Sequence, residues 1–114
     1  MNYDLEERTA KFGENILNFL KTIQADHITK PLINQLVRSA TSIGANYMEA
    51  NQASSKKDFY NKIRISQKES NETKHWIRML STVMGEEKEQ LRNFWKEAHE
   101  LTLIFAKISK SNQK

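Results

Sequence analysis

The chain has 114 residues, 38% hydrophobic and 28% charged, which fits one domain of about 100–150 residues and excludes disorder as the default state. Three glycines and one proline are too few for a sheet protein, which needs turn residues about every 8–12 positions. The absence of cysteine excludes disulfides, thiolate catalysis and cysteine zinc sites, and the net charge of +4 makes the chain mildly basic.

The first helix is predicted over about residues 4–23. Leu5, Thr9, Phe12, Ile16, Phe19, Leu20 and Ile23 recur at steps of three and four, a single apolar stripe. Asp4 is placed as its cap, with Glu6 and Glu7 at the positive end of the helix dipole. Ala25 to Ile28 reads as a connection, and Pro31 suits the first turn of the next helix. That second helix spans about 31–51, with Ile33, Leu36, Val37, Ala40, Ile43, Gly44 and Tyr47 as its core stripe. Beside the stripe run the small residues Ser39, Ala40, Ser42, Gly44 and Ala45. A glycine inside a helix costs about 1 kcal/mol against alanine, so close approach of another backbone is expected there.

Ser55 followed by Asp58 forms a capping box, which starts the third helix near Lys56 and carries it to about 84, where Gly85 offers a left-handed stop. The fourth helix covers about 87–109, with Leu91, Phe94, Trp95, Ala98, Leu101, Phe105 and Ile108 in its stripe, and residues 111–114 read as a frayed tail. Four amphipathic segments with short connections pack most simply as one all-α, antiparallel up-down-up-down four-helix bundle spanning residues 1–114. The opening residues lack the basic and apolar regions of a signal peptide, and no apolar run reaches membrane-spanning length, so a cytoplasmic protein without a membrane partner is expected.

The third helix breaks the pattern. Residues 66–75 contain no apolar side chain, nearly three turns without an oily face. Gln35, Arg38, Ser42, Asn46 and Glu49 form a matching polar face on the second helix. Either both faces are solvated, or they meet, with a buried Arg38 paired to Glu69 or Glu72. The missing inner stripe favours the second reading.

Glu72 and His75 have the Glu-x-x-His spacing of di-iron bundles, but a second such motif and further glutamates are missing, so neither a metal nor another cofactor is expected. With no nucleophile elbow and no glycine-rich phosphate loop, the chain does not read as an enzyme. Charge distribution carries more information. Between Lys56 and Arg78 seven basic residues stand against three acids, so this segment holds the whole surplus of +4. Lys56, Lys57, Lys62, Arg64 and Lys68 are the nucleic-acid-binding candidates. Lys57, Arg64 and Lys68 share one side of the helix with Asn61 and Asn71, and can follow a phosphate backbone by counterion release. A solvated face without a partner is the alternative. No aromatic residue interleaves with this stripe, which leaves base stacking unsupported.

The run from Gln35 to Ala50 (QLVRSATSIGANYMEA) closely resembles the signature of the four-helix-bundle proteins encoded in 23S rRNA intervening sequences. Ser54 to Phe59 (SSKKDF) and Lys68 to Ile77 (KESNETKHWI) are similar to the segments that follow it in that family, Ile77 standing where leucine is usual. Asp4 to Thr9 with Phe12, and Glu97 and Ala98 with Leu101, also fit. A more distant likeness is to the accessory protein of diversity-generating retroelements, a basic pentameric bundle that engages nucleic acid and reverse transcriptase. The resemblance implies an antiparallel four-helix bundle that assembles into a homopentamer, has no known catalytic activity, and binds RNA or DNA. Arg38, Ser39, Ser42, Asn46, Glu49, Glu69, Glu72 and Trp76 carry the family pattern and are expected to form a structural polar network that supports assembly. The rival expectation is a scaffold for another protein, such as a polymerase, without contact to nucleic acid.

Overall fold

Apolar periodicity becomes four helices in the computed structural model, which describes residues 2–111, with side chains from Asp4 onward. They are α1 (Asn2–Leu20), α2 (Thr29–Asn51), α3 (Lys56–Val83) and α4 (Lys88–Lys110). Of the terminal residues expected to fray, 112–114 lie outside the described residues.

Pairwise contacts fix the direction of every helix. Along α2, Ser39, Ile43 and Glu49 meet Thr73, Ser66 and Lys62 of α3, whose numbers fall as those of α2 rise. Thr9 lies against Gly44 and Gly13 against Ala40, which makes α1 and α2 antiparallel. Arg8 and Phe12 meet Glu97 and Phe94, and Tyr60 and Lys74 meet Ser111 and His99. The result is the up-down-up-down bundle, 46 × 22 × 20 Å. Its long axis is set by α3, whose 28 residues extend about 42 Å.

The core is filled by Phe12, Ile16 and Phe19 from α1, Leu36, Ile43 and Tyr47 from α2, Ile63, Ile77 and Leu80 from α3, and Leu91, Leu101 and Phe105 from α4. Tyr47 and Phe105 meet with ring centroids 5.7 Å apart. Gly44 marks the expected close approach: a Cβ there would stand 3.3 Å from Thr9 Oγ1 and 3.4 Å from the Thr9 carbonyl carbon. A clasp of Arg8 on Glu97, through Nε at 2.7 Å and Nη2 at 2.8 Å, joins α1 to α4. The guanidinium's pKa is raised chiefly by these bonds to Glu97, against the opposing effect of burial.

Several helix ends differ from the sequence expectation. Asp4 lies inside the first turn of α1 rather than before it, so it is not a cap. The chain leaves α1 after Leu20 because the next turn tightens: the Thr22 and Ile23 N–H groups donate to Phe19 and Leu20 carbonyls three residues back. At the start of α3 the Ser55 hydroxyl accepts from Asp58 N–H at 3.0 Å, as the capping box requires. At its end Gly85 is not left-handed. Met84 closes the helix in an extended conformation, with φ −121° and ψ 95°.

The cap of α2 comes from Asp26, inside the segment read only as a connection. Its carboxylate accepts from Thr29 N–H at 2.8 Å and Ile28 N–H at 2.9 Å, while Thr29 Oγ1 accepts from Asp26 N–H at 2.9 Å. Bonds from Thr29 first and Ile28 second hold this carboxyl below its ordinary range. A depressed carboxyl pKa stabilises the fold above the unfolded value, about pH 4, and the contribution is lost as pH falls through the folded value. Asp26→Ala is therefore expected to melt a few degrees below the wild type at neutral pH, the gap closing on acidification below about pH 4. Thermal denaturation followed by circular dichroism checks this, and a gap unchanged by acid would contradict it.

Candidate nucleic-acid interface

The greaseless middle of α3 is resolved by three small hydroxyl residues. Ser66, Ser70 and Thr73 are fully buried and form the inner face of the helix. Ser66 donates to the Ile43 carbonyl of α2 at 3.0 Å, using a lone pair that the helix leaves free. Ser70 donates to the Ser66 carbonyl at 2.9 Å. Thr73 Oγ1 lies 2.8 Å from the Glu69 carbonyl and 3.0 Å from Ser39 Oγ. Their small size lets α2 and α3 form the most extensive helix pair of the bundle.

Arg38 pairs with both carboxylates that the sequence left open, Glu69 at 3.2 Å and Glu72, while its Nε donates to Gln35. Trp76 Nε1 donates to Glu72 at 3.1 Å. The arginine is 44% exposed, so this is a surface clasp over the α2–α3 seam and not the buried pair expected. Ser42 donates to the Arg38 carbonyl and Asn46 to the Ser42 carbonyl, and Glu49 reaches Lys62 at 2.7 Å. All eight residues of the anticipated polar network thus lie along one seam, with their bonds made within the chain. The carboxylate of Glu72 is engaged by Arg38 and Trp76, whereas His75 is exposed with its ring edge-on to Trp76, so the Glu-x-x-His pair does not converge on one point.

Opposite the seam, α3 presents a straight outer ridge. Lys57, Asn61, Arg64, Lys68, Asn71, His75, Arg78 and Thr82 follow at alternating steps of four and three, and each is exposed. Such spacing keeps them on one line for about 38 Å. No carboxylate stands on it. Of the five binding candidates, Lys57, Arg64 and Lys68 lie on this ridge. Lys56 is exposed at the helix start, off the line. Lys62 points toward α2, where its bond to Glu49 raises the lysine pKa and neutralises its charge locally. His75 and Arg78 extend the ridge beyond the predicted stripe; their seven-residue spacing from Lys68 and Asn71 was the signal available in the sequence.

The sequence also misplaced Trp95. Read as a core residue, it is 37% exposed at the α3–α4 groove. The His99 ring stacks on it at 5.1 Å and 16°, and Lys74 Nζ sits 5.3 Å from the ring centroid. An aromatic side chain therefore does adjoin the basic surface, supplied by the neighbouring helix. Among the described residues no helix is long and apolar enough to cross a membrane, and no cluster of three metal-ligating side chains occurs.

Residues 1–107 match the family model described as 23S rRNA-intervening sequence protein. Among solved structures, the chain is similar to a protein of unknown function from the S23 ribosomal protein family of Bacteroides thetaiotaomicron VPI-5482. The two are 32% identical, the match covers 92% of this chain and 97% of that one, and the TM-score is 0.80. No curated protein matches the chain.

Proposed function

The chain belongs to the 23S rRNA-intervening sequence protein family, and from that premise we propose a non-catalytic bundle protein that binds RNA or DNA through its phosphates, without sequence specificity. The observation that carries this reading is the acid-free ridge of α3. Its cations release condensed counterions from a nucleic-acid backbone, and its asparagine and threonine side chains can add hydrogen bonds to phosphate oxygens. Neighbouring carboxylates do not cancel this charge, because Glu69 and Glu72 are turned into the α2–α3 seam by Arg38. A gel-shift titration with an RNA duplex is the test. Affinity is expected to fall steeply as salt rises; salt-independent binding, or none at low salt, overturns the proposal.

Self-association into a ring is the second part of the proposal, and a specific surface favours it. A groove of about 680 Å³ between α1 and α2 is floored by Ala10, Gly13, Gly44 and Ala45. Leu17 and Met48 flank it, 39% and 45% exposed, and Glu6, Glu7 and Glu14 line its rim. Such a groove repels nucleic acid. Covering Leu17 and Met48 by a face of a second copy that leaves the α3 ridge and the α3–α4 side open is a head-to-tail contact of the kind that closes rings. The Arg38 seam is the weaker candidate for this contact, its groups being already bonded within the chain. Leu17→Glu combined with Met48→Glu is expected to reduce the particle to the 13.4 kDa protomer with unchanged helix content. Light scattering that finds the wild type monomeric, or the double variant still assembled, would remove this part.

A further inference from the structure

A second groove, of about 400 Å³, runs between α3 and α4. That volume lies within the range of about 300–1,000 Å³ that holds small ligands. Ile77 and Leu91 give it an apolar floor. Arg78, Lys88, Arg92 and Lys96 line its sides, with no carboxylate among the lining residues. Trp95, 37% exposed, also lines it. His99, one turn further along α4, and Lys74, reaching across from α3, back the indole, with Lys74 Nζ 3.1 Å from His99 Nδ1, so the ring is held before any ligand arrives. Leu91 and Arg92, one turn earlier on α4, line the same groove.

We infer that this groove holds an unpaired nucleotide, its base stacked on Trp95 and its flanking phosphates on Arg78, Lys88, Arg92 and Lys96. A phosphate alone would need no aromatic wall, and an apolar ligand would not call for four cations. The combination is that of single-strand binding: cations track the backbone while an aromatic face accepts any base. Bases inside a duplex are stacked on one another and cannot offer a face to Trp95. Arg78 belongs both to the outer ridge of α3 and to the groove, so one strand can pass from the first to the second. This rests on the phosphate-binding reading above and adds that the strand is unpaired where it meets α4.

The chain has two tryptophans, so Trp76→Phe leaves Trp95 as the sole indole emitter. In that background an oligouridine is expected to quench the emission, which a duplex of equal length does far less. Trp95→Ala is expected to weaken oligouridine binding about tenfold, and Trp95→Phe to restore most of the loss. Unmoved emission at saturation, or undiminished oligouridine affinity in Trp95→Ala, overturns the groove assignment and leaves phosphate binding by α3 standing. Binding of duplex but not of oligouridine does the same. If neither nucleic acid binds at low salt, both proposals fall.

Discussion

Replacing Lys57, Arg64 and Lys68 together by glutamate is expected to lower duplex affinity by about two orders of magnitude near physiological salt. Each phosphate contact contributes about −0.9 to the slope of log affinity against log salt, so losing three flattens that slope by about three units. Carried from molar salt down to about 0.15 M, that slope change gives the hundredfold figure, before repulsion by the new carboxylates is added. All three side chains are exposed, so melting should move little. Lys62→Glu provides the contrast, since Lys62 lies off the ridge against Glu49. Its effect on binding is expected to fall well below that of Arg64→Glu. Equal losses at the two positions would mean that total charge, not the ridge, governs binding.

Ser66→Leu is expected to destabilise the protein by about 3 kcal/mol, on the order of 10–15 °C in melting midpoint for a chain of this length. Hydrophobicity alone argues the reverse, because leucine would supply the apolar face that this stretch of α3 lacks. Packing decides against it. Ser66 is fully buried with its oxygen 3.0 Å from a backbone carbonyl of α2, so the two extra heavy atoms of leucine must push the two helices apart. Ser66→Ala, by contrast, removes one hydroxyl while the Ile43 carbonyl retains a lone pair for its own helix, at a cost of about 1 kcal/mol. Thermal or urea unfolding that ranks leucine as milder than alanine would refute the seam as described. With total stabilities of about 5–15 kcal/mol, the leucine loss would be a large share.

The reading of α3 shows where sequence patterns carry and where they fail. Periodicity sorts residues by polarity, and serine and threonine count as polar in that sorting. Burial depends on size as well: Ser66, Ser70 and Thr73 can satisfy their hydroxyls on helix carbonyls, so they sit inside without an apolar stripe. The face that looked like a demand for a partner is therefore met largely within the chain. Trp95 fails for the opposite reason. It has the step of the α4 stripe but lies at its edge, and a stripe in sequence does not say where the neighbouring helix stops covering it. Asp26 was missed because an aspartate in a connection looks like any turn residue until the N–H groups it accepts from are in place.

Four helices and the Lys57 to Asn71 part of the outer ridge of α3 were legible in the sequence alone, because both depend on spacing within one helix, where 3.6 residues per turn converts position into direction. The capping box at Ser55 was equally local. The tertiary structure alone decided which cations remain unopposed, since Glu69, Glu72 and Glu49 are drawn away by residues up to 34 positions distant. It alone joined Trp95 to Arg78 across the α3–α4 groove. Contacts between helices depend on register and distance between backbones, and neither is written in the period of any single segment.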